Sequence, residues 1–159
     1  MVRLEEITNV NVSDVCRLRG YDEQKSFVAE NVQSLAEAYA TRNEGNVAMP
    51  FAVYDDERLI GFVMLGYNRR DDAEAPEYAR GSYCLWRFMI DWRFQHRGYA
   101  KLVLEKVIEF IRTQPCGEAK RLWLSYEPEN AHGREVYRKF GFCENGELCG
   151  GEVVAVYEL

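Results

Sequence analysis

Gln95-His96-Arg97-Gly98-Tyr99-Ala100 separates two apolar runs of different period. Before it, Ser82–Ile90 is almost continuously apolar (Leu85, Trp86, Phe88, Met89, Ile90), which predicts a central strand buried on both faces. Arg87 interrupts that run and needs a partner if it is buried. After it, Ala100, Val103, Leu104, Val107, Ile108 and Ile111 recur at helical spacing and predict a helix over Ala100–Arg112. A turn between the two leaves the first N–H groups of the helix unpaired, and these attract anions together with the positive end of the helix dipole. Gly98 has no Cβ to hold a ligand away, and Arg97 and Lys101 add positive charge. The stretch reads either as a site for a phosphorylated cofactor or as an ordinary strand-to-helix turn. Neither G-x-G-x-x-G nor G-x-x-x-x-G-K-[ST] occurs in the chain.

Upstream, Arg3–Thr8 is expected as an opening strand, and Asn11 or Ser13 as the cap of a short helix that runs to Leu18 and ends at Gly20. A second helix is expected over about Ser26–Thr41, with Val28, Val32, Leu35 and Tyr39 on one face. Glu23, Glu30 and Glu37 recur every seven residues, either as a solvated acidic face or as a wall that attracts a polyamine. Phe51–Tyr54 and Leu59–Tyr67 predict two strands around a polar hairpin turn. Asn68–Gly81 is a long polar loop, of the kind that borders binding sites. Downstream, Arg121–Tyr126 predicts a strand. Asn130 then caps a helix that carries Val136, Tyr137 and Phe140, and Gly141 stops it. Phe142–Leu148 and Glu152–Leu159 form a last hairpin around Gly150-Gly151. The order predicts a mixed α/β fold in a single domain, residues 1–159, without linker or repeat.

Nearly half of the 159 residues are apolar, enough for a sizeable core, yet no run approaches the roughly 20 residues that span a bilayer. The N-terminus has no signal-peptide stretch, so a cytoplasmic protein away from the membrane is expected. Cys16, Cys84, Cys116, Cys143 and Cys149 are odd in number and lack C-x-x-C spacing, and the only histidines are His96 and His132. These features argue against a disulfide framework and against a metal site. The net charge of −6 disfavours nucleic acid as a partner and suits a cationic small molecule.

Ile90-Asp91-Trp92-Arg93-Phe94 followed by Gln95-x-x-Gly98-x-Ala100 resembles the acetyl-CoA motif of the GCN5-related N-acetyltransferases (GNAT). Asn130-x6-Tyr137-x3-Gly141-Phe142 matches that family's second pattern, and the element order agrees over nearly the whole chain. Leu85–Asp91, Arg93-Phe94-Gln95 and Asn145–Leu148 with Gly151-Glu152 are similar to the bacterial spermine/spermidine (diamine) acetyltransferases of the Blt type. The N-terminal half, which in the superfamily shapes the acceptor pocket, is less distinctive. The resemblance implies a mixed central sheet of about six to seven strands, mostly antiparallel with a splayed parallel pair, flanked by about four helices. It also implies an acetyl-CoA-dependent N-acetyltransferase acting without a metal on a small-molecule amine, such as spermine or spermidine. A peptide or aminoglycoside amine and a non-catalytic acyl-CoA-binding module are the rival readings, and a homodimer is common in the family.

Residue by residue, the resemblance gives the cofactor's pyrophosphate to the backbone of Gln95, His96, Arg97, Gly98, Tyr99, Ala100 and Lys101. It gives the pantetheine arm to the backbone of Phe88, Met89 and Ile90, and a further contact to Asn130. Tyr137 matches the general acid: a phenol is neutral at pH 7 and can protonate a departing thiolate. His132 is either an exposed helical residue or a contact for the cofactor's phosphate end. The base is open between Glu127, Asp91 and a water chain. Some polyamine acetyltransferases carry a carboxylate near the position of Trp86; here Trp86 is either a core aromatic or a face for an alkylammonium. Trp86, Glu30 and Glu127 are the candidate acceptor contacts. Cys84 lacks a paired His and is not expected as a nucleophile.

Overall fold

A computed structural model describes residues 1–69 and 73–159. The strands are β1 (Val2–Glu6), β2 (Val47–Asp55), β3 (Arg58–Tyr67), β4 (Tyr83–Ile90), β5 (Arg121–Tyr126), β6 (Cys143–Cys149) and β7 (Glu152–Glu158). The helices are α1 (Val12–Arg17), α2 (Asn31–Asn43), α3 (Tyr99–Arg112) and α4 (Ala131–Phe140), with short 3-10 turns at Asp22–Gln24 and Trp92–Phe94. One sheet holds all seven strands in the order β1-β2-β3-β4-β5-β7-β6. Every pair is antiparallel except β4–β5. The mixed α/β class, the strand number and the single parallel pair all agree with the sequence reading.

α3 buries the expected stripe of Val103, Leu104, Val107, Ile108 and Ile111 against one face of the sheet. Burying a full stripe of this kind contributes about 1.5–3 kcal/mol per large aliphatic side chain, so this contact anchors the fold. The other face packs Phe62 and Met64 against Val15, Leu18 and Ala38 of α1 and α2 and the residues near them.

α2 departs from its expected register. It starts at Asn31 rather than near Ser26, because Glu30 is extended (ψ 146°). Val32 and Tyr39 of the expected apolar face are 56% and 71% exposed. The buried face is instead Asn31, Ser34 and Ala38, small or polar residues that let the helix lie close to its neighbours. Asn31 is buried because its Nδ2 donates to the Val15 carbonyl at 2.9 Å. The acidic row does not form: Glu23 sits in the first 3-10 turn, Glu30 precedes the helix, and Glu37 pairs with Arg87 at 2.9 Å.

β4 also differs from the two-faced burial expected of it. Trp86 is an extra residue in its pairing with β3, where Met64 faces Arg87 and Leu65 faces Leu85. Strict alternation would put Leu85 and Phe88 on opposite faces, but the bulge puts both against the α3-side core. Beyond Tyr83↔Leu122 and Cys84↔Trp123, β4 and β5 no longer pair. Trp86, Arg87, Phe88 and Met89 are therefore only half-buried, and one edge of β4 is left without a strand partner.

Of the loop Asn68–Gly81, residues 70–72 lie outside the described residues. Its described part packs Tyr78 and Ala79 onto Val154, Trp123 and Cys149, so that part covers the β5–β7 end of the sheet and does not line the cavity described next.

Candidate active site

A cavity of about 510 Å³ opens where β4 and β5 part. Its walls come from three places: the end of β4 with the start of α3, the first turns of α4, and the segment from Cys16 to Asn31. β4 contributes Phe88, Met89 and Ile90. Pairing of this end with β3 is tight, since a Cβ on Gly61 would come within 2.5 Å of the Met89 carbonyl.

The turn after β4 contributes Gln95, His96, Gly98, Tyr99 and Ala100. Gly98 is the N-cap of α3, has φ 79°, and has no side chain with which to cap the helix. The N–H groups of Tyr99, Ala100 and Lys101 thus lack partners within the helix, at the positive end of its dipole. A Cβ built on Gly98 would meet nothing within 4 Å, so the space before these donors is open. His96 is also left-handed, with φ 59°, and its ring lies 5.3 Å from that of His132 at the start of α4. The side chains of Arg97 and Lys101 are not brought to the wall. Arg97 lies 6.0 Å over the Phe94 ring, and Lys101 is 3.8 Å from Glu105.

Two networks hold the turn. Tyr99 donates to Asp55 at 2.7 Å, and Arg58 and the Met1 amino group donate to the same carboxylate. These bonds, that from Tyr99 foremost, hold the Asp55 carboxyl down at about 2. Asp91, only 1% exposed, accepts from the Arg19 N–H at 3.1 Å and from the N–H and Nε of Arg93 at 3.1 and 2.7 Å. Burial pushes Asp91 up, but these bonds outweigh it and leave it below the ordinary carboxylate value. An ionised carboxylate so fully engaged is a brace, which corrects its candidacy as the base.

α4 supplies Asn130, His132, Gly133, Val136 and Tyr137. As expected, Asn130 caps the helix, accepting from the Gly133 N–H at 2.9 Å, and Gly141 (φ 121°) ends it. Tyr137 stands among Phe88, Tyr126 and Phe142, with ring centroids 5.8 to 6.4 Å away. Burial, and then Tyr126 and Glu152, push its phenol above the ordinary tyrosine value. Burial thus favours the neutral phenol, the form that a proton donor needs. Burial likewise pushes the Cys84 thiol up, which removes the thiolate a nucleophile would need.

Among the acceptor candidates, Glu30 lines the cavity, whereas Trp86 and Glu127 do not. Trp86 packs with the α1–α2 core, and the cation over its ring is the Arg87 guanidinium at 5.5 Å. Glu127 serves the turn into α4 through its carbonyl, which accepts from Asn130. Sequence reasoning missed most of the third wall, which includes Arg19, Gln24, Lys25, Phe27 and Val28. The helical face read through Val28 does not form here, since α2 starts only at Asn31. Gln24 and Gln95 exchange two amide hydrogen bonds of 2.8 and 3.0 Å, and neither residue advertises the other in the sequence. Among the described residues no three His, Cys, Asp or Glu side chains gather as a metal site. No described helix is long and apolar enough to cross a membrane.

The profile of the Acetyltransferase (GNAT) family matches residues 15–142. A spermine/spermidine N(1)-acetyltransferase of Bacillus subtilis (strain 168) is 31% identical, the match covering 99% of both chains. Among solved structures, an aminoglycoside acetyltransferase AAC(6')-Ib in complex with coenzyme A superposes with a TM-score of 0.76 at 13% identity, over 99% of this chain and 95% of that one. A spermidine N-acetyltransferase from Vibrio cholerae, in complex with CoA and spermine, superposes with a TM-score of 0.69 at 20% identity, over 98% and 92%.

Proposed function

The chain belongs to the acetyltransferase (GNAT) family, and on that premise we propose that it moves an acetyl group from acetyl-CoA directly to a primary amine of a polyamine such as spermine or spermidine, working as one domain over 1–159. The observation that carries the donor assignment is the uncapped start of α3, held open by Gly98 on the cavity that β4 and β5 leave between them. The pyrophosphate takes the N–H groups of the turn from Gln95 to Lys101. The pantetheine arm takes the strand edge at Phe88, Met89 and Ile90, where β5 has withdrawn. An N–H of that edge holds the thioester oxygen as negative charge develops on it. Asn130 adds a contact from the opposite wall.

The acceptor nitrogen must be uncharged to attack, and an alkylamine with a pKa near 10.4 is mostly protonated at pH 7. Its proton leaves through water in the open cavity, since Asp91 is engaged. Glu30, the one carboxylate among the described lining residues, draws the ammonium in. The amine lone pair forms the C–N bond, the C–S bond breaks, and the thiolate takes the proton of Tyr137; the proton that the new amide nitrogen then sheds returns through water to the Tyr137 phenolate. The 31% identical spermine/spermidine enzyme supports the choice of a polyamine.

A panel of spermine, spermidine, putrescine, an aminoglycoside and peptides, assayed for release of free CoA, tests the proposal. Turnover is expected with spermine and spermidine. Preference for peptides or the aminoglycoside would overturn the acceptor. CoA binding without turnover on any amine would leave an acyl-CoA-binding module.

A further inference from the structure

The segment from α1 to α2 forms the wall that faces the start of α3, and its charge is the reverse of what a polyamine wants. The charged residues it presents to the cavity are Arg17, Arg19, Lys25 and Glu30, three cations and one anion. Arg17 and Lys25 have carboxylate partners beside them, Asp14 at 3.1 Å and Asp22 at 2.8 Å. Arg19 forms no ion pair of this kind among the described residues, although its charge helps to hold the Asp22 carboxyl below the ordinary carboxylate value, after the bond from Lys25. Its position is fixed by the backbone: its N–H donates to Asp91 at 3.1 Å, and its carbonyl accepts from the Trp92 N–H at 2.9 Å. Five residues on, the reciprocal amide pair between Gln24 and Gln95 ties the same segment to the first residue of the turn. The segment is thus stitched along the turn whose free N–H groups await an anion, and it brings with it the Arg19 guanidinium, which has no ion pair among the described residues, and Lys25, whose partner Asp22 is itself exposed. Cations so placed repel a polyamine and complement a polyphosphate.

We propose that Arg19 and Lys25 form the second wall of the cofactor's phosphate subsite, so that this part of the N-terminal half serves the anionic donor rather than the cationic acceptor. The inference rests on the donor reading above and extends it to residues that lie in no motif. It also places the acceptor's approach on the far side of Glu30, away from Arg19.

The test measures CoA binding calorimetrically for the wild-type protein, Arg19→Gln, Lys25→Gln and the double variant, with S-acetyl-pantetheine, which lacks the phosphates, as a second ligand. Loss of two solvent-exposed ion contacts predicts a roughly tenfold weaker CoA complex in the double variant at low salt. The difference should shrink in about 1 M salt, where screening acts within about 3 Å. Acetyl-pantetheine binding and the acceptor KM should stay unchanged, and Arg19→Lys should restore most of the loss. An unchanged CoA affinity, an equal loss for acetyl-pantetheine, or an altered acceptor KM with normal CoA binding would each overturn the assignment. A wild-type protein that binds no CoA would overturn the donor reading itself, a result distinct from wild-type binding that the variants leave intact.

Discussion

α3 and α4 both begin on the wall of one cavity, and their first turns are built in opposite ways. α4 is closed by its own residue: Asn130 accepts from the Gly133 N–H and satisfies one of the donors that a helix start leaves over. α3 has a glycine at the same position, in the left-handed region, with no side chain to offer and open space before it. A capped start stabilises the protein without a ligand. An uncapped start leaves its N–H groups to water or to an anion. On the proposed reading the two motifs divide the labour: the α3 end is completed by the donor, and the α4 end holds Tyr137 still.

Filling the open start should break the contrast most severely. In Gly98→Val the new side chain enters the space before the α3 donors, and a β-branched residue at φ 79° is strained by about 1–2 kcal/mol. Losing two hydrogen bonds to a charged pyrophosphate corresponds to roughly a 1,000-fold rise in the dissociation constant for CoA. Gly98→Asn separates the causes, because asparagine tolerates the left-handed region but still occupies the space. Calorimetry showing full CoA affinity in Gly98→Val would show that the open start is not the phosphate site.

The α4 side should respond in the other parameter. Tyr137→Phe removes the acid and nothing from the phosphate subsite, so kcat should fall about 100-fold while CoA affinity stays within about twofold. The wild-type pH profile sharpens this. As the proposed acid, Tyr137 acts in its protonated form, and burial places its titration above the ordinary value of 10. Its contribution should therefore be undiminished up to pH 10 and be lost only at higher pH. An alkaline loss below pH 10 that disappears in Tyr137→Phe would contradict the buried setting.

The two ends of α3 and α4 were legible in the sequence for the same reason that they differ. Gly98, Asn130 and Gly141 act through local backbone chemistry, which a sequence carries in single residues. The α3 stripe was legible because five large apolar residues at one period leave little choice of face. α2 was misread because its contacts are decided by fit rather than by hydrophobicity: Asn31, Ser34 and Ala38 are buried while Val32 and Tyr39 are exposed. Apart from Glu30, the wall from Cys16 to Asn31 was missed because its attachments join residues 71 positions apart, Gln24 to Gln95, through amides that carry no pattern. The bulge at Trp86 is similar. It is set by the register with β3, and it moved Trp86 from a candidate acceptor contact into the α1–α2 core.

The smallest expected effect falls on the closed start, and it distinguishes capping from ligand contact at one residue. Asn130→Ala should cost about 1 kcal/mol, the usual worth of a cap, and lower the melting temperature by a few degrees. Asn130→Asp keeps an acceptor for the Gly133 N–H and adds a charge that the helix dipole favours, so its melting temperature should match or exceed the wild type. Asn130 also lines the cavity, however, and there a carboxylate faces an anionic cofactor. If the residue both caps and contacts, Asn130→Asp is as stable as the wild type and binds CoA several-fold more weakly. If it only caps, thermal melting and calorimetry both return wild-type values for Asn130→Asp, and the division between an open and a closed start becomes complete.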